Sequence, residues 1–116
     1  MNREEVRNRL RDWAQSLAAD PNVLYVVLFG SFARGDSTAA SDADVLVILR
    51  DSPWRFEERL PRYHPTGIGV SVDVFPYTIG EARQSLKEGW GVVPIALTEG
   101  EMLYGVTGSL CALLAP

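Results

Sequence analysis

The 116-residue chain holds one cysteine and one histidine. Cys111 has no internal partner for a disulfide, which fits a reducing compartment. Nothing beside it would lower its pKa, so it reads as an apolar residue and not as a nucleophile. His64, alone between Tyr63 and Pro65, reads as a surface residue more readily than as a metal ligand. No apolar run reaches the roughly 18 residues of a membrane span. The opening MNREEVRNRL has no apolar signal-peptide core, so a cytoplasmic location is expected. Positive charge is scarce. A formal net charge of −4 argues against a broad basic surface for long nucleic acid. There is no G-x-x-x-x-G-K-[ST] loop, no internal repeat and no linker. Residues 1–116 are therefore expected to form a single domain.

What the chain does have is 47% hydrophobic residues, arranged with recognisable periods. Val6, Leu10, Trp13, Ala14 and Leu17 recur at spacings of three and four, which predicts a helix over 3–19. Asp20-Pro21-Asn22 ends it. Val23 to Phe29 is a β-rich run with almost no polar residue, a strand covered on both faces. The stretch 30–43 is small and polar, with a short helical turn at Ser31–Arg34 and loop after it. Asp44 to Leu49 predicts a second buried strand. Residues 51–67 read as a loop with a short helix near Trp54–Leu60. A third strand is expected over Val70–Phe75. Pro76-Tyr77-Thr78 then leads into a helix at 79–88, with Thr78 as N-cap and Gly89 as stop. Periodicity leaves 91–98 open between helix and strand. Met102-Leu103-Tyr104 reads as a last short strand, and the apolar tail 110–116 has no clear placement.

Three acids stand in apolar surroundings. Asp44 begins a hydrophobic strand, Asp42 precedes it by two residues and can point to the same side, and Asp73 interrupts Val-Ser-Val-Asp-Val-Phe. Carboxylates so placed are costly to bury and raise each other's pKa when close. Divalent cations relieve both penalties. Two ions about 3.5–4 Å apart suit in-line phosphoryl displacement, and hard oxygen ligands point to Mg²⁺. Gly30-Ser31 follows the first strand directly. Glycine lets backbone approach a phosphate, a helix N-terminus favours an anion, and Arg34 adds a positive charge. An acidic chain that handles a triphosphate needs such local help. Each residue also has a plainer role open to it: Asp42 as a turn residue, Asp44 as an exposed strand start, Asp73 as a solvent-facing edge residue, Arg34 as a solvated loop cation. Trp13 reads as core, and Trp54 and Trp90 as packing or docking aromatics.

Gly30-Ser31, ten residues, then Asp42-x-Asp44 resembles the G-S-x10-D-x-D signature of the polymerase-β-type nucleotidyltransferase superfamily. The fuller string GSFARGDSTAASDADVLVIL resembles its minimal nucleotidyltransferases, often the antitoxin half of a pair with HEPN-domain toxins. The resemblance implies an α+β fold, a mixed sheet of about four strands flanked by helices. It implies that Asp42 and Asp44 hold two Mg²⁺ ions, that Asp73 completes the metal site and helps activate the acceptor hydroxyl, and that Gly30, Ser31 and Arg34 face the phosphates of ATP. The implied reaction is transfer of AMP to a hydroxyl on a HEPN partner protein, with SLCALLAP (109–116) and loop aromatics as a docking surface. Two alternatives stand beside it: transfer to a small hydroxylated molecule, and a non-catalytic antitoxin that neutralises a toxin by contact alone. The sequence leaves the nucleotide base and the oligomeric state open, a homo-oligomer included.

Overall fold

Helix α1 (Arg3–Leu17) buries Val6, Leu10 and Ala14 on one stripe, as the three-and-four spacing requires. It ends two residues before the expected limit, where Ala18, Ala19 and Asp20 close turns onto Ala14, Gln15, Ser16 and Leu17 carbonyls. The computed structural model describes residues 3–34 and 42–106, the side chains of Ser31 and Arg34 excepted. After α1 come β1 (Val23–Phe29), the one-turn α2 (Ser31–Arg34), β2 (Ala43–Leu49) and α3 (Phe56–Arg59) with a 3-10 turn at Leu60–Arg62. β3 (Val72–Thr78), α4 (Ile79–Glu88), α5 (Val93–Glu99) and β4 (Glu101–Gly105) complete the order.

The four strands form one mixed sheet in the order β3-β2-β1-β4. β1 is antiparallel to both β2 and β4, whereas β2 and β3 are parallel. This is the α+β architecture expected. All seven residues of β1 are buried, because the strand is central and both faces are covered. Alternate residues feed two cores. Val45, Val47, Leu49, Val72 and Val74 pack with Val6, Leu10 and Ala14 of α1. Leu46, Ile48 and Tyr77 pack with Ala82 of α4 and Val93 and Ala96 of α5. Each fully buried Leu, Ile or Val contributes about 1.5–3 kcal/mol. Arg7 and Arg11 of α1 both bond the Glu101 carboxylate of β4, at 2.6 and 2.9 Å, which ties the helix to that edge.

One expectation needs correction, and one open segment is settled. The third strand runs over Val72–Thr78 and not Val70–Phe75, so Pro76 lies inside it. Proline is tolerated there because β3 is an edge strand, where a missing N–H can face away from the ladder. The undecided segment 91–98 is helix α5, with a proline in its first turn, a position where no intrahelical N–H is needed. The helix over 79–88 stands as expected. Thr78 accepts from the Glu81 backbone N–H, the Glu81 side chain reaches back to the Thr78 N–H, and Gly89 ends the helix at φ 75°. Among the described residues no helix is long and apolar enough to cross a membrane.

Candidate active site

The parallel pairing of β2 and β3 sets Asp44 directly opposite Asp73. Strands in a sheet lie about 4.8 Å apart, and in-register residues share a face. The two carboxylates therefore stand side by side at the N-terminal ends of their strands. They lie on the α4/α5 face, beyond the point where that core closes over Phe29 and Phe75, whose rings sit 5.7 Å apart. Asp42 is exposed just ahead of β2. The Ala43 N–H donates to the Ser71 carbonyl at 2.9 Å, which holds this entry beside the entry to β3. Asp42 and Asp73 line the same open cavity of about 740 Å³.

Gly30 closes the other side of Asp44. Its φ is +80°, and a Cβ there would fall 2.5 Å from Asp44 Oδ2. The turn after β1 and the Asp44 carboxylate thus occupy adjoining space that only glycine leaves free. The turn is fixed from behind. Phe32 is 2% exposed, its carbonyl accepts from Arg3 Nη2 at 2.9 Å, and the Arg3 guanidinium lies 5.3 Å from its ring centre. α2 starts at residue 31 as expected. The roles expected of the Ser31 and Arg34 side chains and of the loop 35–41 lie outside the described residues, as do Cys111 and the tail 109–116.

The anticipated cost of buried acids falls on Asp44 alone, since Asp42 and Asp73 are exposed. Burial raises the Asp44 carboxyl above its ordinary value of 3.8, and the negative charges of Asp73 and then Asp42 push it further. Among the described residues no group of three or more His, Cys, Asp or Glu side chains is drawn into a metal-ion cage.

Sequence reasoning missed the part played by the connection between β2 and β3. His64 is exposed as expected, yet it lines the same cavity as Asp42 and Asp73, and so do Pro65 to Val72, apart from Thr66. Tyr63 and Ile68 anchor this segment in the α1-side core, and Arg9 Nη1 donates to the Gly67 carbonyl at 3.0 Å. No spacing pattern marks such a wall; only the parallel crossover brings it to the acids. The tryptophans fall elsewhere. Trp13 packs partly buried against the α1-side core. Trp54 carries the Arg62 guanidinium 3.6 Å over its ring. Trp90 is 44% exposed and tilts against Tyr77 near the far end of β3.

A family model described as the nucleotidyltransferase domain matches residues 7–92. A curated relative from Methanocaldococcus jannaschii, named as a candidate protein adenylyltransferase, is 47% identical over 34 residues. That match covers 29% of this chain and 34% of the relative, so only about a third of the relative's length is represented. Among solved structures, a candidate nucleotidyltransferase from Sulfolobus solfataricus superposes with a TM-score of 0.62 at 19% identity, over 89% of this chain and 83% of that one. A toxin-antitoxin structure with AMP-PNP gives 0.53 at 22% identity, over 92% and 76% of the two chains. A tri-AMPylated Shewanella oneidensis HEPN toxin in complex with MNT antitoxin gives 0.51 at 16% identity, over 90% and 74%. At such identities the likeness is one of fold.

Proposed function

This chain belongs to the nucleotidyltransferase domain family, and from that membership we propose that it transfers AMP from ATP to a hydroxyl group on a partner protein. The partner proposed is a HEPN-type toxin, which the transfer would neutralise. The observation that carries the reading is the in-register pair Asp44 and Asp73 beside the glycine turn whose missing Cβ makes room for the Asp44 carboxylate. The names of the M. jannaschii relative and of the toxin-antitoxin neighbours support the choice of protein as acceptor.

The residues present suit divalent cations. Asp44 is burdened by burial and by two like charges, and the donors are hard carboxylate oxygens of the kind Mg²⁺ takes. Asp42, Asp44 and Asp73 would hold two Mg²⁺ ions, which when bound lower the pKa of the acceptor hydroxyl and neutralise the triphosphate. The sheet order supports a division of sides. Gly30, at the end of β1, lies on one flank of Asp44, and Asp73 of β3 on the other. The Gly30 turn would receive the triphosphate, with Ser31 and Arg34 as further donors, and Asp73 would face the acceptor. The acceptor oxygen forms a bond to the α-phosphorus, the bond from that phosphorus to the bridging oxygen breaks, and pyrophosphate leaves. The hydroxyl proton passes to a carboxylate oxygen of Asp73.

The test is incubation of the chain with α-labelled ATP, Mg²⁺ and the protein encoded beside it, followed by mass spectrometry. An AMP mass on a Ser, Thr or Tyr side chain is the expected result. Absence of any transfer while Asp42 and Asp44 are intact sinks the reading. Neutralisation that survives their replacement by Asn would show that contact alone suffices, and label appearing only on small molecules would move the acceptor class.

A further inference from the structure

The outer edge of β3 is half closed and half open. In a parallel ladder the N–H and C=O of one residue point to the same side, and successive residues alternate. Because the Ala43 N–H donates to the Ser71 carbonyl, residues 71, 73, 75 and 77 face β2, while 72, 74, 76 and 78 face outward. Partners at the far end agree. The Pro76 carbonyl accepts from Arg59 Nη1 at 3.0 Å, and the Thr78 N–H donates to Glu81 Oε1 at 2.8 Å. Pro76 has no N–H to offer. The C-terminal half of the edge is therefore sealed by its own chain.

The N-terminal half is not. Among the described residues no hydrogen bond reaches the outward N–H and C=O groups of Val72 and Val74. Both residues bury their side chains in the α1-side core, while the outward backbone groups run along the edge, where an unmet donor or acceptor is costly once water is excluded. Two cavities border them. One of about 740 Å³ holds Asp42, His64 and Asp73. The other, about 310 Å³, lies between β3 and Phe56, Leu60 and His64. Val72 and Asp73 line both, so the two form one groove along this edge that opens at the acid pair.

We propose that an extended segment of the acceptor polypeptide docks in this groove by adding a short strand to β3 at Val72 and Val74. This rests on the protein-acceptor reading above and gives it a docking mode. Outward backbone donors and acceptors are complemented by another backbone in extended form; a helix has none to spare. A residue of the added strand level with Asp73, on the same face, stands about one strand spacing from it, so a hydroxyl there meets the Asp73 carboxylate. Pro76, which has no N–H to offer, ends the added ladder after two residues.

The probes are peptides of the form Ac-Arg-Val-X-Val-Arg-NH₂ with X as Ser, Thr or Tyr, and copies N-methylated on the backbone around X. With saturating peptide, amide exchange at Val72 and Val74 is expected to slow by about tenfold, with little change at Asp73 and Phe75. The methylated copies are expected to give no protection. Val74→Pro removes one outward N–H without touching the ladder to β2. It is expected to raise KM for peptide about tenfold relative to Val74→Thr, with kcat little changed. Circular dichroism and melting check that both variants fold; if the proline variant does not, the exchange measurement on the unaltered chain decides. AMP transfer to protein without protection at these two amides overturns the docking mode and leaves the chemistry standing. Protection without any transfer overturns the chemistry and leaves the docking. Protection that appears in the free chain and grows with its concentration assigns the edge to a second copy and overturns the proposal.

Discussion

The two ends of β3 handle charge in opposite ways. At the C-terminal end the Arg59 side chain, 5% exposed, pairs with Glu81 through both carboxylate oxygens, at 2.6 and 3.2 Å. It also donates to the Pro76 and Trp54 carbonyls. Glu81 is pulled below its ordinary value because these bonds, with those from Thr78, outweigh the burial that acts against it. Five residues before Thr78, about 16 Å away along the strand, Asp73 faces Asp44 with no opposite charge described between them. One end obeys every rule of pairing and capping; the other breaks them. Such local violations are where function is expected, and the satisfied end supplies the stability that tolerates them.

If that contrast is right, substitutions at the two ends separate activity from stability. The largest effect is expected for Asp44→Asn or Asp73→Asn, each lowering AMP transfer on the order of 10³-fold while the melting temperature holds or rises. Gly30→Ala comes next. Its methyl would meet the Asp44 carboxylate and its φ would be strained, so transfer should fall about 100-fold with about 1 kcal/mol lost from stability. At the paired end the pattern reverses. Arg59→Met should cost about 2 kcal/mol in a denaturant titration, and Thr78→Ala about 1 kcal/mol, with kcat of the folded fraction unchanged in both. A fall in kcat for either would dissolve the distinction between the ends.

The smallest effect is on pH. The raised Asp44 pKa means the folded chain keeps this proton to higher pH than the unfolded chain does. Its contribution is present below the unfolded value of 3.8 and is lost as pH rises through the folded value. In metal-free buffer Asp44→Asn should therefore melt higher than the parent at pH 7, and the gap should close as pH falls towards 3.8. A gap independent of pH would remove Asp44 as the burdened acid.

The sequence made some of this legible and hid the rest for physical reasons. Local signals survived folding. The apolar runs of β1 and β2, the Thr78 cap and the Gly89 stop each depend on neighbours within a few residues. The acids at 42 and 44 were marked by their spacing from Gly30-Ser31. What failed depends on distant partners. Pro76 looked like a strand terminator because nothing local says that β3 lies at a sheet edge. The register that sets Asp73 against Asp44 joins residues far apart in the chain, and so does the wall around His64. Pattern reading left plainer, solvent-facing roles open for these acids, but no local signal said that Asp44 alone would be partly buried.

Pro76 has one more effect, on how these molecules meet at high concentration. Fibrillar stacking needs long runs of backbone that template one another molecule after molecule. On this flank the run is interrupted after two residues, by a ring nitrogen and an arginine clamp, so neighbouring copies have too little to zip together. A proline that is unremarkable as packing thus acts as a guard against self-templated growth.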